Sequence, residues 1–341
     1  MMKKIKVILG LMVLLGMVCL INVCYYFMKR PNVTVSDGGI IYIQPGDSFE
    51  TVMLTLCNGG YIRNERTLRK VAELKKYPSS VKPGRYRLKN GMDNNTLINM
   101  LRSGNQEPVR FTFNNIRTLE EFSETISRQL SIEPTDFLDR AQNPEYVAKL
   151  GFTPMNFIGM FIPDTYYIFW NTDADHFISR MHTEYKKFWN QDRLEKAEKI
   201  KLLPIEVITL ASIVEEETNV VKEYPVIAGV YINRLRKGWK LEACPTLKFA
   251  LGDFTIKRVL HKHIAVDSPY NTYKYTGLPP GPVRMPSANV IDAVLNYSHH
   301  DYMFFCAKSD FSGEHFFSRT IREHNRHAAD YHRALDKMRV F

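Results

Sequence analysis

Pro204-Ile205-Glu206-Val207-Ile208-Thr209-Leu210-Ala211-Ser212-Ile213-Val214-Glu215-Glu216-Glu217-Thr218 reads as a helix that opens on proline and ends in acid. Proline suits the first helical position, where its missing N–H costs nothing. Val207, Leu210, Ala211 and Val214 then recur at helical spacing. Three acids follow, and on a helix neighbours point about 100° apart, so they face different surroundings. Glu215 lies on a polar or small-residue face and Glu216 at the edge of the stripe. Glu217 has Ile213 and Val214 behind it and Val220 and Val221 ahead, and so falls within the apolar stripe. A carboxylate there is costly unless it is paired, neutral or at the wall of a cleft. Desolvation raises a carboxyl pKa, which suits a general acid. A solvated acidic run or a salt-bridged Glu217 remains the alternative.

Downstream, Val226 to Leu235 continues helical, and Leu241-Glu242-Ala243-Cys244-Pro245-Thr246 leads into a short helix through Ala250. The loops Ser268-Pro269-Tyr270-Asn271-Thr272-Tyr273 and Thr276-Gly277-Leu278-Pro279-Pro280-Gly281-Pro282-Val283 are rich in Tyr, Asn, Thr and Pro. Such loops beside a buried acid suit a sugar cleft, and equally suit rigid surface turns. Upstream, Val109–Phe113 reads as a strand, Leu119–Leu130 and Pro134–Ala141 as helices, and Phe177–Arg193 as one long helix. Ile40–Ile43, the turn Pro45-Gly46-Asp47-Ser48, helices Phe49–Leu56 and Asn64–Leu74, strand Gly84–Leu88 and helix Asn95–Arg102 form a smaller α+β module.

Ile5 to Phe27 carries no charge after Lys6. At about 1.5 Å per residue it is long enough for a hydrocarbon core of ~30 Å. Lys3, Lys4 and Lys6 precede or open it, and Lys29 and Arg30 stop it. The run is too long for a signal-peptide core, and Cys19 and Cys24 each follow a valine where a lipoprotein site needs a small residue. An uncleaved anchor is expected, with the N-terminus cytoplasmic by the positive-inside tendency. The net charge of +10 fits any polyanion. With no zinc-knuckle spacing, RNP-like motif or long basic block, nucleic acid is not the expected partner. His299, His300, His324, His327 and His332 show no H-E-x-x-H spacing, so neither a metal nor a cofactor is expected.

Ala211–Thr218, Val230-Tyr231-Ile232-Asn233-Arg234-Leu235, Pro245-Thr246, Tyr270–Tyr273, Gly277–Pro282, Phe161–Tyr166 and Glu323-His324-Asn325 together resemble the MltG/YceG family of endolytic murein transglycosylases. The resemblance spans nearly the whole chain. It implies a tip at 1–4, an anchor at 5–27, a linker at 28–39, a LysM-like module at 40–106 and an α+β YceG-like catalytic domain at 107–341. It implies an enzyme of the inner membrane acting outside the cytoplasm on peptidoglycan glycan strands. The MurNAc–GlcNAc β-1,4 bond would be cut without water, leaving 1,6-anhydro-MurNAc ends and terminating strand elongation. Glu217 maps onto the catalytic acid of the family's E-x-E-T segment. Thr218, Thr246, Asn271 and Tyr273 are expected at the substrate, and peptidoglycan synthases are expected partners. The one departure is Cys244, where the family usually has Asp. A two-carboxylate hydrolase using Asp164 or Glu242, and a non-enzymatic glycan-binding scaffold, are the rival readings.

Overall fold

The computed structural model describes residues 2–36, 38–256 and 261–337. Met1 of the expected tip, Asp37 of the expected linker and 338–341 at the end of the expected catalytic domain lie outside the described residues. Helix α1 (Met2–Met28) comes first, and its Ile5–Met28 portion is long and apolar enough to cross a membrane. The described chain divides into two compact units. The first holds Met1–Phe111, Gln129–Ser131 and Tyr166–Thr172, and the second holds Thr112–Arg128, Ile132–Thr165 and Asp173–Phe341.

In the first unit, β1 (Ile40–Ile43) pairs antiparallel with β2 (Gly84–Arg87), Ile40 opposite Arg87. Between them run α2 (Phe49–Asn58) and α3 (Glu65–Leu74), and α4 (Asn94–Ser103) follows. Each helix begins where a short polar side chain takes an orphan amide: Ser48 accepts from Thr51, Asn64 from Thr67, and Asp93 from Thr96. Their apolar faces enclose a core built on Ile41, Leu56, Leu68, Tyr86 and Leu97. The segment expected as a linker contributes Val33 and Val35 to that core, and Val33 bridges to Ile62.

β3 (Val109–Thr112) pairs with β4 (Thr165–Ile168). The second unit contains α5 (Leu119–Ser127), α6 (Pro134–Ala141), α7 (Pro144–Lys149), α8 (Ala174–Phe188) and α9 (Gln191–Ile200). It continues with α10 (Pro204–Glu217), α11 (Tyr224–Arg236), α12 (Cys244–Leu251), α13 (His261–Ile264) and α14 (Ala288–Leu295). The antiparallel hairpin β5 (Phe304–Ala307) and β6 (His315–Ser318) and then α15 (Ile321–Lys337) complete it. The long helix expected over Phe177–Arg193 is two helices. Trp189 turns into the core, and the Asn190 side chain caps α9 by accepting from the Arg193 amide.

Helix α10 is the axis of this unit and packs on α14, α11, α12 and α9. The sequence suggested a one-sided stripe, but every residue from Val207 to Val214 is buried. A helix covered all round must satisfy its polar side chains internally. Thr209 donates to the Ile205 carbonyl, and Ser212 donates to the Thr209 carbonyl while accepting from the Val283 amide. The helix stops at Glu217, so Val220 and Val221 do not extend an apolar face, and Val221 is exposed.

Candidate active site

Three carboxylates at the C-terminal end of α10 meet the negative end of the helix dipole, so each needs a partner. Glu215 and Glu216 share Arg284, and Glu217 has a partner of its own. Glu215 accepts from the Ser287 hydroxyl and amide and lies 3.5 Å from Arg284. Glu216 takes Arg117 and Arg284, each at 2.8 Å. Glu217 Oε1 accepts from the hydroxyl of Tyr231 at 2.7 Å. Tyr231 is itself buried in α11.

Glu217 lies half-buried in the wall of a cleft of about 380 Å³. Tyr231, Arg234, Glu242, Cys244, Tyr273 and the β5–β6 hairpin complete much of the lining. Burial holds the Glu217 carboxyl above its ordinary value, while the Tyr231 hydrogen bond and the charges of Arg234 and Lys248 act in the opposite direction. A carboxyl raised in the fold binds its proton more tightly there than in the unfolded chain. Its contribution is therefore greatest at low pH and is lost as pH rises from the unfolded value near 4.5 through the folded one. Glu217→Gln is expected to flatten that slope and to raise stability at neutral pH. Denaturant unfolding of both proteins between about pH 5 and 8 checks it.

Of the residues expected at the substrate, Glu217 and Tyr273 line the cleft together. The Tyr273 hydroxyl sits 3.1 Å from Cys244 Sγ, and burial pushes both groups upward. The other three are buried and engaged within the protein. Thr218 donates to Glu223 and accepts from the Val220 amide. Thr246 donates to the Ala243 carbonyl and shares a hydrogen bond with Thr272. Asn271 donates to the carbonyls of Ile264 and Val266 and accepts from the Tyr273 amide, which fixes the loop that presents Tyr273. Asp164 is exposed and outside the cleft lining, whereas Glu242 lines it on a backbone of φ 49°.

Sequence reasoning did not single out Tyr231, Arg234, Glu223 or His315. Buried Arg234 donates to the carbonyls of Met303 at 2.8 Å and Leu241 at 2.5 Å, joining two walls of the cleft. Glu223, also buried, accepts from the His315 amide and from its Nδ1, both at 2.8 Å. The available signal was the hairpin: Phe304-Phe305-Cys306-Ala307 and His315-Phe316-Phe317-Ser318 flank a turn-rich Ser309–Gly313.

The Gly277–Val283 loop packs close to the backbone at Met155. A Cβ on Gly281 would lie 2.2 Å from the Met155 carbonyl oxygen, and backbone cannot yield to it. Gly281→Ala is expected to cost about 3 kcal/mol, read as a lowered unfolding midpoint.

The sequence pattern of the YceG-like family matches residues 41–330. The endolytic murein transglycosylase of Bacillus subtilis is 28% identical over 307 residues, covering 85% of this chain and 84% of that protein. The protein of the same name from Streptococcus pneumoniae is 27% identical over 320 residues, and there the matched part is 85% of this chain but 57% of the relative. A crystal structure described as a yceG-like protein from Listeria monocytogenes superposes with a TM-score of 0.55 at 27% identity, over 86% of this chain and 99% of that one. Because the family pattern runs through both units and includes the helix that ends on Glu217, this chain belongs to the YceG-like family.

Proposed function

We propose that the chain is a membrane-anchored lytic transglycosylase that cuts peptidoglycan glycan strands internally, with Glu217 as its acid. The observation that carries this reading is the half-buried Glu217 carboxyl on Tyr231, set in the wall of an open cleft in a protein whose relatives are named endolytic murein transglycosylases. Burial favours the protonated form. That form donates to the glycosidic oxygen of the MurNAc–GlcNAc β-1,4 bond. The 6-hydroxyl of the same MurNAc attacks the anomeric carbon and closes a 1,6-anhydro ring. In the simplest cycle the freed Glu217 carboxylate receives that hydroxyl's proton, so one acid serves where glycosidases of the ordinary kind use two. Tyr273 and Cys244 stand at the substrate, while Thr246 and Asn271 shape the loop behind them. The α1 helix anchors the chain in the plasma membrane with its N-terminus cytoplasmic. The β1–α2–α3–β2 unit supports a LysM-like module that holds glycan, and peptidoglycan synthases are the proposed partners in terminating strand growth.

Glu242 in the same cleft favours one rival, a hydrolase using two carboxylates. Full-length protein in detergent, incubated with purified glycan strands, separates the readings by the mass of the new ends. Anhydro ends support the proposal, and reducing ends support the hydrolase. Strands bound without being shortened mark a scaffold.

A further inference from the structure

The cleft holds a second proton-handling group that the single-acid cycle leaves unused. His315, on β6, lines it together with Glu217. Glu223 grips this residue twice. Its Oε1 accepts the His315 amide and its Oε2 accepts from the ring Nδ1, both at 2.8 Å. The amide contact alone would anchor the strand. The ring contact adds something else: it places the imidazole proton on Nδ1 and leaves Nε2 as the acceptor. Nε2 makes no hydrogen bond to any described residue. Phe305 packs edge-on against the ring with centroids 5.5 Å apart, which limits its rotation. Thr218, the residue after the acid, donates to the same Glu223 oxygen at 3.2 Å. The acid's helix end and the histidine are therefore tied to one buried carboxylate. A carboxylate that fixes the tautomer of a histidine whose other nitrogen meets the reacting hydroxyl is the geometry of an activated base.

We propose that His315, held by Glu223, is a catalytic residue that takes the proton of the attacking substrate hydroxyl. This rests on the transglycosylase reading and replaces the carboxylate of Glu217 as the base. The new bond joins the 6-oxygen of MurNAc to its anomeric carbon while the glycosidic bond breaks. Glu217 gives its proton to the departing oxygen, and the hydroxyl proton passes to His315 Nε2. Water then carries that proton from His315 to the Glu217 carboxylate, and the protein returns to its starting state with nothing consumed.

His315→Asn keeps an amide donor near the Nδ1 position for Glu223 and removes Nε2. In the full-length protein this variant is expected to lose about 100-fold in turnover of purified glycan strands, with KM and Tm unchanged. His315→Ala is expected to regain turnover when imidazole is added to the assay, which a purely structural residue would not. Turnover of the Asn variant within about threefold of wild type overturns the proposal. So does a loss that tracks a fall in Tm and that imidazole does not restore in His315→Ala, which would assign the pair to anchoring the hairpin. An inactive wild type would instead sink the transglycosylase reading itself.

Discussion

Glu217→Gln is expected to abolish glycan cleavage, with turnover falling by about 1,000-fold or more while the protein stays folded. The substitution is nearly isosteric, and the Gln carbonyl can still accept from Tyr231 at the position that Glu217 Oε1 holds. It removes only the transferable proton. The neighbouring acids cannot take over the role. Glu215 and Glu216 are committed to Ser287, Arg117 and Arg284 on other faces of the helix end. Their substitution by Gln should therefore act on stability, and an equal loss of turnover from Glu216→Gln would contradict the assignment. Binding separates the two effects. The Glu217→Gln protein should retain glycan strands in a pull-down, because the cleft keeps its shape and loses only chemistry.

Arg234→Ala is expected to cost about 4 kcal/mol and to lower Tm by roughly 10 °C. Arg234 is 7% exposed, and its guanidinium satisfies two carbonyls from segments far apart in sequence. Those of Leu241 and Met303 would both lose their donor, at about 1–3 kcal/mol for each buried polar group left unpaired. Packing against Phe304, whose ring centroid lies 5.6 Å from the guanidinium carbon, would be lost as well. Leu241 leads into the Glu242–Cys244 wall and Met303 into β5, so activity should fall with stability. Arg234→Lys keeps the charge, but an ammonium lacks the planar fork that serves both carbonyls, so it should recover less than half of the lost stability. Thermal unfolding of the three proteins side by side checks this.

Local chemistry made parts of this architecture legible in advance. Pro204 marked the start of α10, and the rotation of about 100° per residue sent three adjacent acids to three sets of partners. Pro134 and Asn64 marked helix starts for similar reasons. The surroundings of Glu217 were less legible. The sequence placed its apolar neighbours at Val220 and Val221, but the chain leaves the helix before reaching them. Its environment instead comes from Tyr231 on the next helix and from a hairpin far along the chain. Helical periodicity describes one element and cannot say what packs across from it. Thr246 and Asn271 show a related limit. A hydroxyl or amide that would suit a sugar also suits a buried carbonyl, and here both side chains are satisfied within the protein. Cys244 is the converse case: a departure noticed in sequence stands in the cleft wall beside Tyr273.

The central claim is that the substrate's own hydroxyl, and not water, attacks the bond that Glu217 protonates. Digestion of purified glycan strands by the full-length protein in oxygen-18 water tests it most directly. The scheme predicts new MurNAc ends that carry no heavy oxygen and have the mass of the anhydro sugar. Heavy oxygen at the new anomeric position would show that water is the nucleophile and would contradict it.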